Sequence, residues 1–105
     1  MLVNRTTGRT WAPTDFAGVD RALFRNNETG GRSSFVRLRG GSRVARHRHT
    51  GNEEVVVIAG QVRIGGVDLV AGDYLYTEAG EEHDVVAVTD ATIFVSSQKP
   101  TPFVE

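Results

Sequence analysis

An all-β sandwich or barrel is the fold class the chain predicts, on three observations. Its apolar residues fall in short, β-branched segments; single Gly and Pro residues punctuate them at roughly 8 to 12 residue spacing; and no window carries the periodicity of an amphipathic helix. In order, strands are expected at Ala22 to Arg25, Ser34 to Arg39, Val44 to His49, Val55 to Ile58, Gln61 to Ile64, Asp68 to Val70, Asp73 to Thr77, Asp84 to Val88 and Thr92 to Ser97. Each gap carries turn chemistry. The first is the run Asn26 to Gly31, followed by Gly40-Gly41, Thr50-Gly51-Asn52, Ala59-Gly60, Gly65-Gly66, Ala71-Gly72, Glu78 to Glu82 and Thr89-Asp90. Asn, Asp and Gly close such gaps because they hydrogen-bond their own backbone or reach conformations other residues avoid.

Composition bounds the rest. The 105 residues, 39% hydrophobic and 24% charged, suit one globular domain. Within 1–105 an N-terminal arm is expected over 1–20, a barrel over 21–97 and a C-terminal tail over 98–105. The absence of cysteine excludes disulfides, thiolate zinc sites and cysteine nucleophiles, so any metal must sit on His, Asp or Glu. No signal-peptide core and no run of about 18 apolar residues occurs, which predicts a cytoplasmic protein that does not enter a membrane. The sequons at Asn4 and Asn27 are then chance matches. A net charge of −1 argues against nucleic acid as a partner. The charge is divided, however: residues 1–50 hold ten Arg against Asp15, Asp20 and Glu28, whereas residues 51–105 hold Arg63 and Lys99 against ten carboxylates. Either the first half presents a surface for acidic ligands or the halves interleave and cancel; a small domain favours interleaving.

The three histidines carry the chemistry. His47 and His49 are alternate residues of one expected strand, so both imidazoles project from the same face. Continuing that parity through Thr50-Gly51-Asn52 brings Glu53, then Val55 and Val57, to the same face; a slip in the turn would present Glu54 instead. His83 follows a Gly-containing turn. Singly, each is read more simply as a hydrogen-bonded or solvated residue. Together, His47, His49, Glu53 and His83 form a three-imidazole, one-carboxylate set suited to one divalent Fe, Mn, Ni, Co or Zn ion. Arg46 and Arg48 take the opposite parity and should point to solvent. Tyr74 and Tyr76 share one face of their strand, Leu75 and Thr77 the other.

These residues resemble the cupins. The segment GSRVARHRHTGNEEVVVIAG, 41–60, matches the first cupin motif, and with Gly60 as anchor its spacing selects Glu53. The second motif is matched by GDYLYTEAGEEHDVVA, 72–87, at Gly72, Gly80 and His83, with Glu78 in place of the usual Pro and Ala87 in place of the usual Asn. The resemblance implies a double-stranded β-helix, or jelly-roll barrel, with His47, His49, Glu53 and His83 as metal ligands. Trp11-Ala12-Pro13, Gly18-Val19, Leu23-Phe24, Val36-Arg37-Leu38 and HRHTGNEE are similar to the ChrR-like cupins. That family is named for the C-terminal domain of a zinc-containing anti-sigma factor and also includes an acetylacetone-cleaving dioxygenase. Sigma-factor inhibition is not carried over, because it rests on a separate cysteine-bearing domain.

Val55, Val57, Val85 and Ala87 are expected as substrate-binding wall, and no residue can be named as general base or nucleophile. Two functions follow. One is a metal-dependent enzyme, dioxygenase- or isomerase-like, acting on a small oxygenated chelating substrate. The alternative is a non-catalytic zinc-binding sensor or regulatory module. Trp11 and Phe16 are expected to pack an arm over the barrel or onto a second copy, in keeping with a homodimer.

Overall fold

Side-chain alternation along short strands sorts this chain into an apolar interior and a solvated exterior. The computed structural model describes residues 1–105. Its strands are β1 (Ala12–Pro13), β2 (Val19–Asn26), β3 (Arg32–Leu38), β4 (Arg43–Arg48), β5 (Glu53–Ala59), β6 (Gln61–Ile64), β7 (Val67–Val70), β8 (Tyr74–Thr77), β9 (Glu82–Ala87) and β10 (Ala91–Ser97), preceded by a 3-10 turn at Thr6–Gly8. They form a six-stranded sheet in the order β1-β2-β3-β10-β5-β8 and a four-stranded sheet in the order β4-β9-β6-β7. All pairings are antiparallel. The chain repeatedly crosses between the sheets, as a jelly roll requires.

The core lies between them. On the larger sheet Val36, Ile93 and Val57 sit side by side across three paired strands; Val62, Ile64, Leu69, Val85 and Ala87 face them from the smaller one, and all belong to one buried cluster. Each of these Val, Leu and Ile side chains contributes roughly 1.5–3 kcal/mol when fully buried. The outer face of the larger sheet is also covered. Phe24 packs edge-on against Phe35 with centroids 4.8 Å apart, and the Arg9 guanidinium lies 4.8 Å from the Phe35 ring centre. Trp11 holds the Arg37 guanidinium 4.1 Å above its indole, so it packs on this sheet while Phe16 turns towards the barrel interior. Such cation–π contacts tie the N-terminal segment down.

Each of the nine expected strands is present, with boundary shifts that have physical causes. β2 begins at Val19 because Thr14 and Phe16 close a turn onto it: the Thr14 hydroxyl donates to the Val19 carbonyl at 2.7 Å and the Val19 N–H to Phe16. Pairing continues to β1, where Pro13 sits on the sheet edge, the place a residue without an N–H is tolerated. β4 ends at Arg48 and β9 begins at Glu82, so His49 lies just past its strand and His83 inside one. The charged halves interleave: Arg43 pairs with Asp84 at 2.9 Å and Arg46 with Glu82 at 3.1 Å. No helix is long and apolar enough to cross a membrane.

Candidate metal centre

The two sheets bring the four candidate side chains together from opposite sides of the barrel. His47 on β4 and His83 on β9 are directly paired across the smaller sheet; Glu53 opens β5 on the larger one. A one-residue bulge on β4 between Val44 and His47 shifts the parity there, so that both Val44 and His47 face the interior. Bulges re-aim side chains in this way. His49 is fixed after the strand by two backbone bonds, its N–H to the Glu81 carbonyl at 2.9 Å and the Gly80 N–H to its own carbonyl at 2.7 Å. One ligand atom from each of His47, His49, Glu53 and His83 lies within 4.8 Å of the others, and all four residues are buried.

Hydrogen bonds orient the donors. His47 Nδ1 lies 2.9 Å from the Ala45 carbonyl and His49 Nδ1 lies 3.0 Å from that of Glu81. A carbonyl only accepts, so both Nδ1 atoms carry the proton and each Nε2 is turned to the cluster. The Ser97 hydroxyl donates to Glu53 Oε2 at 2.7 Å, leaving Oε1 beside His49 Nε2 at 3.1 Å and His83 Nε2 at 3.9 Å.

The electrostatics favour positive charge at that point. Burial pushes the Glu53 carboxyl up, but hydrogen bonds from His49 and Ser97 and the nearby imidazoles hold it below its ordinary value. Burial likewise pulls His49 down, yet the bond to Glu53 leaves it above its ordinary value. His49 Nε2 and Glu53 Oε1 therefore face each other, 3.1 Å apart, across a position suited to a cation. Burial, reinforced by His49 and His47, lowers His83 to about 4, keeping it neutral and able to donate a lone pair. Three imidazoles and a carboxylate, with two of the rings anchored to backbone carbonyls, fit a first-row divalent ion.

His47, Glu53 and His83 of the cluster form part of the wall of a cavity of about 980 Å³, with His49 buried behind them. Val55 and Val85 line it, whereas Val57 and Ala87, each 1% exposed, belong to the apolar core and are not among its lining residues. Tyr74 and Tyr76 face solvent, and Thr77 is the buried partner on their strand; the Tyr74 hydroxyl donates to Glu54 at 3.0 Å. Glu54 is thus directed outward, and Glu53 inward. Arg46 and Arg48 are exposed.

Several cavity residues are not foreseen from the sequence, Ser97, Arg21 and Phe103 among them. Ser97 shares the parity of Ile93 and Val95 and was accessible to that argument, though only strand register reveals its pairing with Glu53. Arg21 shares the parity of Val19, but an Arg on a strand is ordinarily read as solvated. Phe103 carried no signal. The tail runs back along β4, pairing Phe103 with His47, and its ring meets Phe16 edge-on at 5.1 Å.

Known proteins share this architecture. A candidate acetylacetone dioxygenase from Methylibium petroleiphilum PM1 superposes with a TM-score of 0.92 at 21% identity, covering 100% of this chain and 81% of that one. An acetylacetone dioxygenase from Acinetobacter johnsonii gives 0.85 at 18% identity, covering 100% and 77%. At these identities the likeness is one of fold. A curated Arabidopsis thaliana protein, the DNA damage-repair/toleration protein DRT102, is 34% identical over 95 residues, which is 84% of this chain but 30% of that protein. The chain therefore spans about a third of that relative's length. The ChrR cupin-like domain profile matches residues 1–101, almost the entire chain, and with the jelly roll already described it follows that the chain belongs to the ChrR cupin-like family.

Proposed function

We propose that the chain is a metal-dependent enzyme in which His47, His49, Glu53 and His83 hold one divalent first-row transition ion and act on a small, oxygenated, metal-chelating substrate, in the manner of a dioxygenase or isomerase. The observation that carries this reading is the convergence of four buried donor atoms within 4.8 Å of one another, three of them from residues that line a cavity able to admit a small molecule. When bound, the ion supplies Lewis acidity or, as Fe(II), oxygen activation. The chain's own residues set the conditions. The Ala45 and Glu81 carbonyls fix the tautomers of His47 and His49, and Ser97 holds the carboxylate of Glu53. Val55, Val85 and the Phe16–Phe103 pair supply apolar wall that excludes water from the substrate's carbon skeleton.

Elemental analysis of protein purified without chelator or metal-affinity tag, beside His83→Ala, tests the reading. Near-stoichiometric Fe, Mn, Co or Ni, lost in the variant, together with oxygen uptake or turnover on a β-dicarbonyl or hydroxy acid, is expected. Stoichiometric zinc without turnover on any of these ions would favour the second reading, a zinc-binding sensor or regulatory module, which draws support from the anti-sigma cupin domain for which the family is named. No metal after reconstitution removes both.

Ser97→Ala deletes the hydroxyl that orients Glu53. Partners of this kind are worth about 10–100-fold in metal affinity, so the dissociation constant, measured by competition with a chelating dye, should rise at least about tenfold while Tm of the metal-free protein changes little. We also propose self-pairing into a homodimer, since β1, β8 and β7 end their sheets without a partner strand; a monomer mass by light scattering would sink that idea.

A further inference from the structure

We infer that Arg21, assisted by Arg32 and Lys99, forms a carboxylate-binding subsite within the metal cavity, so that the ligand is a small carboxylic acid bearing a second oxygen function, such as a 2-hydroxy or 2-oxo acid, rather than a neutral dicarbonyl. Arg21 occupies an inner-face position of β2, opposite Val36 on β3, in a row where its neighbours Val19 and Val36 are buried apolar residues. An aliphatic side chain would serve packing better there. Instead a guanidinium lines the same cavity as His47, Glu53 and His83, and its Nε is buried with no hydrogen-bond partner. No ion pair neutralises it: the chain's Arg–carboxylate pairs involve Arg37, Arg43, Arg46 and Arg63.

Buried polar groups in native proteins are paired, so the unpaired Nε shows that the protein itself does not satisfy this guanidinium, and it is the rest of the fork, facing the cavity, that is left for a ligand. The remaining charges of the cavity agree. Arg21, Arg32 and Lys99 line it against two carboxylates, Asp15 and Glu53, and Glu53 is already engaged by Ser97 and His49. Burial and the neighbouring Arg32 lower Arg21 from its ordinary value, and Glu53 partly offsets this; an incoming anion relieves both penalties. The guanidinium fork matches a carboxylate with two parallel hydrogen bonds, which a ketone oxygen cannot reproduce. Only the assignment of the ligand's second oxygen to the His/Glu cluster rests on the metal reading above.

Titration calorimetry with metal-stripped and Zn(II)-loaded protein tests this, using glycolate and mandelate, each against its neutral amide, on wild type, Arg21→Gln and Arg21→Lys. In wild type at least one acid should bind about tenfold or more tightly than its amide in both metal states; Arg21→Gln should reduce that ratio to within about twofold, and Arg21→Lys should keep part of it. Tm of metal-free Arg21→Gln should be unchanged or higher, because a buried unpaired donor is removed. The proposal is overturned if no acid is preferred over its amide in wild type, or if the preference survives Arg21→Gln. The metal reading fails separately: zinc would not be retained and would not raise the acid's affinity, while the Arg21-dependent preference in stripped protein persisted.

Discussion

Removing the metal with a chelator is expected to lower the melting temperature by about 15 °C or more, and His49→Ala is expected to abolish the difference between stripped and loaded protein. The magnitude follows from the site's burial. His49 is 1% exposed and His47, Glu53 and His83 are 6% exposed each, so without an ion the barrel encloses three imidazoles and a carboxylate whose mutual bonds satisfy only part of their capacity. An ion that binds the folded chain alone at about a thousand times its dissociation constant adds about 4 kcal/mol, and 1 kcal/mol is worth roughly 4–8 °C in a domain of this size. His49→Ala removes one candidate ligand and also strips Glu53 of its 3.1 Å partner, leaving a buried carboxylate with one hydrogen bond fewer. The variant should therefore melt below stripped wild type as well. Differential scanning calorimetry with and without added Fe(II), Mn(II), Ni(II) or Zn(II) decides the matter: superimposable wild-type melts for every ion would end the metal-centre reading.

The strand pattern was legible because both faces of most strands are unambiguous. Val55 and Val57 alternate with outward residues, Gly and Asn mark nearly every reversal, and the 2-residue period survives in β3, β5 and β9. The same period brought the candidate ligands to one face. His47, His49 and Glu53 follow one parity, and their separation from Gly60 agrees with it. Parity alone reached too far at Val57 and Ala87, because alternation specifies which face a residue occupies but not its depth along the barrel; these two are core residues that do not line the cavity. What the sequence could not supply was everything that depends on strands distant in the chain. Ser97 meets Glu53 only through the register of β10 on β5; Phe103 reaches His47 because the tail doubles back 56 residues later. Arg21 was hidden for a different reason: its position breaks the rule that inward strand residues are apolar, and such breaks concentrate where a protein trades packing for binding.

Gly60→Ala is expected to destabilise the metal-free fold by about 3 kcal/mol or more, visible as a fall of roughly 12 °C or more in Tm or as loss of soluble protein. Gly60 links β5 on the larger sheet to β6 on the smaller one, and at this corner the chain passes directly under the β9–β10 turn. Two penalties coincide there. Its φ of +80° is a left-handed conformation that costs an L-residue about 1–2 kcal/mol. A Cβ would also run into the Asp90 carbonyl oxygen and stand 2.8 Å from the Ala91 Cα, backbone atoms that cannot swing aside as a flexible side chain would. The neighbouring chain is pinned by the Val88 N–H to the Gln61 carbonyl at 2.9 Å and by the Gln61 N–H to the Thr89 hydroxyl at 3.0 Å, so relief requires displacing a corner that joins both sheets. Gly80 separates the two effects. It has a φ of +97°, but nothing lies within 4 Å of where its Cβ would be, so Gly80→Ala should show the conformational penalty alone, about 1–2 kcal/mol. Equal losses from the two substitutions in urea unfolding would mean that the crowding at Gly60 contributes nothing, and that the first-motif glycine is required only for its backbone angles.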